Sequence, residues 1–231
     1  MKQVYMEACM RSKIFEKRNS MGAFLMVAVA IAIFTISSYT FAGDEETILE
    51  LWNDVDVPAP VELKSVEVDP EETAFLILDI EERTCNAERR HRCVASVAKI
   101  KSFLEKVRAG EIAVVYSLTS SGTPETILPD VAPIGREPIV KSSVDKFYNT
   151  DLENILRGMG IKTVIIGGTT AEGAVLHTAT GAAMRGFQVI VPIDGMSAGT
   201  LYAEQYTAWH LLNAPGSRRQ TTLTKFDMID F

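Results

Sequence analysis

The sequence has no G-x-G-x-x-G and no G-x-x-x-x-G-K, so neither a dinucleotide fingerprint nor a P-loop is supported. Histidine and cysteine are scarce, with three of each in 231 residues. His91 lies between Cys85 and Cys93, but two thiols and one imidazole at that spacing match no standard zinc pattern. No metal site and no cofactor are therefore expected. His177 and His210 have no catalytic carboxylate partner at helical spacing and read as structural. Basic charge is in the minority, with 23 Lys and Arg against 30 Asp and Glu and a net charge of −7. Such a balance argues against nucleic acid or an anionic membrane surface as a partner. There is no internal repeat and no low-complexity tract.

What is present begins with an export signal. Lys13, Lys17 and Arg18 precede a charge-free, mostly apolar run from Met21 to Ile36, and small Thr40 and Ala42 precede an acidic start at Gly43. This order reads as a cleavable signal peptide over residues 1–42, with cleavage after Ala42 and a periplasmic or secreted product. An uncleaved anchor is the alternative, although the run is short for a span of about 20 residues. The first 42 residues hold five basic and two acidic side chains, so the remainder carries 18 basic against 28 acidic, a formal −10. Cys9 lies in the signal segment. Cys85 and Cys93, an even pair in an exported chain, read as a disulfide. Metal binding and a displaced nucleophile at Cys85 are the other readings.

Residues 43–72, with Pro58, Pro60 and Pro70 among many acids, read as an extended lead-in with a short helix at Glu46–Trp52. Over residues 73–231 strand and helix signals alternate. Apolar runs at Ala74–Leu78, Ile112–Leu118, Pro138–Lys141, Thr163–Ile166, Phe187–Pro192 and Thr221–Lys225 predict six strands. Helical spacing is expected over Val94–Ala109, Asp151–Gly158, Ala171–Arg185 and Leu201–Leu212, with Thr150 as an N-cap and Gly110 and Gly160 as stops. Continuous apolar strands between helices imply an α/β three-layer sandwich around a six-stranded, mostly parallel sheet. Ligands of such sheets bind beyond the carboxyl ends of the strands. Asp79, Lys141 and the turn Gly167-Gly168-Thr169-Thr170 all fall at such ends.

These features together resemble the isochorismatase-like, or cysteine hydrolase, superfamily over about Thr73 to Phe226. The superfamily's nucleophile turn is an apolar strand, Gly, two small residues, Thr, Asn, any residue, Cys, Val, then Thr-Ala. Here Gly168, Thr169, Thr170, Ala171, Glu172, Val175 and Thr178-Ala179 take those places, and the nucleophile place falls on Ala174. The resemblance makes Asp79 the catalytic carboxylate, with Glu81 in a place usually held by Gln. It makes Lys141 the strand-end cation, with Phe147, Thr150 and Leu152 in frame behind it and Lys146 as the rival. It further implies an oxyanion hole at the N–H groups of Thr170 and Ala174, a cis peptide at Thr169–Thr170, and a homo-oligomer. Glu81, Phe147, Thr169, Thr170 and Glu172 are the implied substrate-binding residues.

Alanine cannot form the thioester used by most of these enzymes. Isochorismatases also lack the cysteine, carry Gly there, and hydrolyse a vinyl ether by protonation and water addition. The expected function is therefore an exported hydrolase of a small organic substrate, working by cysteine-independent acid/base chemistry on a C–O or C–N bond. A non-catalytic small-molecule-binding protein on the same fold is the alternative. No stable membrane association is expected once the signal is removed.

Overall fold

The computed structural model describes residues 46–231, so the signal segment and Cys9 lie outside the described residues. Of the described residues, 46–57 belong to a unit of their own. In it the short helix expected at Glu46–Trp52 is a single turn, with the N–H groups of Glu50 and Leu51 both donating to Thr47 O at 3.1 Å. One turn fixes several dihedrals for few hydrogen bonds, which is why so short a helix does not propagate.

The unit from Pro58 to Phe231 is built on nine strands and four α-helices. The strands are β1 (Val66–Glu67), β2 (Thr73–Leu78), β3 (Ala113–Leu118), β4 (Ile139–Lys141), β5 (Thr163–Thr169), β6 (Gln188–Pro192), β7 (Met196–Ser197), β8 (Thr221–Thr224) and β9 (Ile229–Asp230). The helices are α1 (Ala87–Ala109), α2 (Leu152–Gly158), α3 (Leu176–Met184) and α4 (Leu201–Asn213). A π-helical turn, Ala171–Val175, leads into α3.

The main sheet runs β4-β3-β2-β5-β6-β8, with β7 paired to the end of β5, and every pair is parallel. The six expected strands form its path. Three short strands carry too little pattern to show in the sequence. Of these, β1 and β9 pair with each other and tie the lead-in to the carboxyl end of the chain. Helix α1 begins at Ala87, seven residues before the apolar spacing starts, because the Asn86 side chain accepts a hydrogen bond from Arg89 N at 2.9 Å and caps it.

Alternation in the strands sorts their side chains to two cores. Ala74, Leu76, Leu78, Val164 and Ile166 face the core containing Ala179 and Ala182 of α3. Phe75, Ile77 and Ile165 face the core containing Ile100, Phe103 and Leu104 of α1. Burial on both faces is what turns the strand sequences into continuous apolar runs.

The strand order reverses between β2 and β5, since β3 and β4 lie to one side and β6 and β8 to the other. Leu78 is in register with both Ser117 of β3 and Gly168 of β5, so the ends of three strands come together at one place. Gly168 permits that approach: it has φ 132°, and a Cβ there would stand 2.1 Å from Leu78 O. A crevice at the point of reversal is where open parallel sheets bind ligands.

Candidate active site

Asp79 follows β2 directly and turns away from the sheet at φ 53°, in the left-handed region. The residue is 4% exposed, and both side-chain oxygens are engaged. Ser117 Oγ donates to Oδ1 at 2.7 Å, and Lys146 Nζ lies 2.7 Å from Oδ2. Burial is the largest influence on this carboxyl and raises its pKa above the ordinary value; Lys146 and Ser117 oppose that rise, and Glu81 adds a smaller push upward. A carboxyl held in this way is suited to keeping a proton for donation.

The lysine at the site is Lys146, not Lys141. Lys141 ends β4 with its side chain exposed, because strand alternation turns Val140 into the core and Lys141 out of it. The chain then folds back, with Ser142 Oγ donating to the carbonyls of Asp145 and Tyr148 at 3.0 and 2.9 Å. This loop carries Lys146 beneath the strand ends, where it is 0% exposed. Its ammonium also donates to Ser143 O at 2.6 Å and Ser142 O at 3.2 Å. A buried ammonium needs this number of acceptors, and the carbonyls supply them without further charge.

Asp79, Thr169, Thr170 and Ala174 line one cavity of about 230 Å3. This is below the range of roughly 300–1,000 Å3 common for drug-sized ligands and suits a small metabolite. The Thr169–Thr170 peptide is cis. Thr169 is buried and donates to Ser197 O at 3.2 Å, which anchors the turn to β7. The N–H groups of Gly173 and Val175 both donate to Thr170 O at 3.1 Å and close the turn into the π-helical segment.

Three residues expected to bind substrate are elsewhere. Glu81 is 1% exposed and serves the loop after β3: Thr119 N donates to it at 2.6 Å, the Thr126 hydroxyl lies at 3.3 Å, and a Cβ on Gly122 would collide with it. A carboxylate in this place needs donors, and the 119–126 loop provides them. Phe147 is buried in the core, stacked on Phe187 with centroids 6.1 Å apart, and the Arg185 guanidinium lies 4.6 Å from its ring centroid. Its apolar ring is removed from water there and does not line the cavity. Glu172 is exposed and borders a different depression, with His177, Tyr206 and His210.

Arg83, Arg89 and Arg90 line the Asp79 cavity and were not singled out from the sequence. The available signal was the run Glu88-Arg89-Arg90-His91-Arg92 between two cysteines. Cys85 and Cys93 are joined, with an S–S distance of 2.04 Å, so neither described cysteine carries a free thiol. Among the described residues no three His, Cys, Asp or Glu side chains are placed to share a metal ion.

Comparison with known proteins bears on the family and the fold. The isochorismatase domain family matches residues 73–223. A Verticillium dahliae protein described as a secreted isochorismatase effector, Isc1, is 33% identical over 113 residues, which are 44% of this chain and 60% of that protein. The chain thus spans about 60% of the length of this curated relative. A cysteine hydrolase from Pseudomonas syringae pv. phaseolicola superposes with a TM-score of 0.62 at 18% identity, covering 73% of this chain and 95% of its own. An isochorismatase-like hydrolase from Alkaliphilus metalliredigens gives a TM-score of 0.61 at 24% identity, covering 68% and 95%. At these identities the two structures speak for the fold.

Proposed function

The chain belongs to the isochorismatase family of hydrolases, and from that premise we propose that it is an exported enzyme that cleaves a small organic substrate through Asp79, without a cysteine nucleophile. The observation that carries the reading is Asp79 itself, a buried carboxyl with a raised pKa at the cavity where the strand order reverses. Two further features support it. Ala174 lines the cavity; the sequence resemblance aligns it with the family's nucleophile, and its methyl group offers no lone pair. Cys85 and Cys93 are committed to each other.

On a vinyl ether the steps balance as a hydrolysis. Asp79 delivers its proton to the alkene carbon, and the adjacent carbon becomes an oxocarbenium ion. Water adds to that carbon and returns a proton to Asp79. The resulting hemiketal breaks its C–O bond to give a carbonyl compound and an alcohol. Lys146 is not part of the cavity wall; it is a positioning residue that fixes the carboxyl and its proton affinity. The N–H groups of Thr170 and Ala174, which the resemblance makes an oxyanion hole, would hold an oxygen of the substrate.

Export follows from the basic, apolar and small-residue order of residues 1–42, and the name of the Verticillium relative supports it. The methyl of Ala174 also favours a second reading, a binding protein that keeps the cavity without turnover. One screen separates the readings. Purified protein is assayed on vinyl ethers, small conjugated acids and simple amides, before and after exposure to a thiol-alkylating reagent. The proposal expects C–O cleavage that survives alkylation. Amide cleavage abolished by alkylation would overturn the mechanism, and inertness with a ligand bound beside Asp79 would establish the binding protein.

A further inference from the structure

The wall of the Asp79 cavity is unusually cationic for an acidic chain. Its lining contains one acid, Asp79, already paired to Lys146, and three arginines, Arg83, Arg89 and Arg90. None of the three takes part in an ion pair among the described residues, whereas Arg92, two residues further on, makes a bidentate contact with Glu204 at 2.7 and 2.6 Å. Arg83 donates to Ser121 Oγ at 2.6 Å across the cavity rim, and Arg90 donates to Thr84 O at 2.9 Å. Burial and the neighbouring Arg89 push the Arg90 guanidinium below its usual pKa, while Glu172 and Asp79 act on it in the other direction. Guanidinium groups gathered without ion-pair partners of their own repel one another, and a bound oxyanion relieves that repulsion through forked, charge-assisted hydrogen bonds.

The local backbone explains how neighbours in sequence reach one cavity. Adjacent residues on a regular helix do not share a face. Arg90 is not helical, at φ −150° and ψ 72°, and breaks the first turn of α1 from the rest. The break lies inside the loop closed by the Cys85–Cys93 disulfide, whose two cysteines are buried. A crosslink that short restricts the loop in every state of the chain and so restricts where its arginines can be.

We propose that the Cys85–Cys93 loop is the recognition element of this site: the disulfide holds Arg89 and Arg90 opposite Arg83, and together they clamp a small ligand bearing two or more oxyanion charges over Asp79. The inference rests on the reading of this cavity as the active site and adds the class of molecule it takes. Carboxylate and phosphate groups present the same forked acceptors, and the test distinguishes them.

Calorimetric titration of the purified, oxidised protein with malonate, inorganic pyrophosphate, acetate and acetamide reads the clamp directly. At least one of the two polyanions binds ten times or more tightly than acetate, acetamide gives no heat, and the better polyanion names the oxyanion. Arg83→Gln and Arg89→Gln each weaken that binding about tenfold, the size of one charge-assisted hydrogen bond. The double variant Cys85→Ala/Cys93→Ala, verified as folded by circular dichroism, weakens it at least about fivefold. Asp79→Asn keeps the binding, so loss of turnover in that variant is read separately from loss of recognition. Equal affinity for acetate and the polyanions, or unaltered binding in the two arginine variants, would overturn the clamp while leaving hydrolysis by Asp79 standing. Polyanion binding without turnover of any substrate would instead remove the enzyme reading and leave the clamp. Unchanged affinity in the folded double cysteine variant would overturn the role of the disulfide.

Discussion

Under α1, the face of the sheet carrying Phe75, Ile77 and Ile165 is filled by large rings: Phe103 stacks on Phe226 with centroids 4.5 Å apart and meets Phe75 edge-on at 5.1 Å. On the opposite face Leu76, Leu78 and Ile166 meet α3, whose buried residues include Ala179, Ala182 and Ala183. The ring-filled core removes much apolar surface per residue. The alanine-lined helix removes less, but small side chains let it lie close to the sheet, and its N-terminal turn carries Thr170 and Ala174 into the cavity. The ring-filled face thus contributes mainly packing, while the alanine-lined face positions the turn that carries Thr170 and Ala174.

Substitutions can break this division. The largest expected effect is at the junction of the two faces, where Lys146→Met leaves the Asp79 carboxyl buried without its cation. Denaturant unfolding should show a loss of about 3–5 kcal/mol, with turnover strongly reduced; Lys141→Met, on the exposed end of β4, should change stability by less than about 0.5 kcal/mol and leave turnover unchanged. Phe103→Ala should cost about 3–5 kcal/mol yet leave kcat per folded molecule nearly unaltered. Ala182→Leu should cost less, about 1–3 kcal/mol by overpacking, and still lower kcat more than Phe103→Ala does. If the two variants ranked the same way in stability and in kcat, the division of labour between the faces would be wrong.

The smallest expected effect is in pH dependence. The folded-state pKa of Asp79 is raised by burial, so the folded chain holds this proton more tightly than the unfolded chain. The stability it contributes is fully present below the unfolded value of about 3.9 and is lost as pH rises through the raised folded value. Donation of the same proton requires the protonated form, so kcat/KM should fall as pH rises through that folded value. An alkaline limb that persists unchanged in a variant lacking the Asp79 carboxyl but retaining residual activity would assign it to another group.

Much of this was legible in the sequence. The six main strands and all four helices are written in runs and spacings, because burial on both faces leaves an uninterrupted apolar signal. Asp79 and the Gly168–Thr170 turn were legible because each ends such a run. The choice between Lys141 and Lys146 was not: it depends on a loop that doubles back, held by the Ser142 hydroxyl, and no periodicity records that. Glu81 and Phe147 share frames with site residues but are drawn inward by contacts distant in sequence, at Thr119 and Phe187. The arginines were hidden for a similar reason, since their convergence depends on a break in α1 within a disulfide loop. Local pattern reports which residues are buried in regular elements, and the site is assembled where the elements end.

The central claim is that Asp79 moves the proton and no thiol takes part. It is tested most directly by single-turnover rates of wild-type protein and Asp79→Asn on the substrate found by the screen, with folding of both verified by thermal unfolding. The amide of asparagine keeps the shape and the Ser117 contact but cannot deliver a proton, so a rate loss of about 10²-fold to 10⁴-fold is expected, with wild-type turnover unaffected by thiol alkylation. Turnover by Asp79→Asn within a few-fold of wild type would contradict the account.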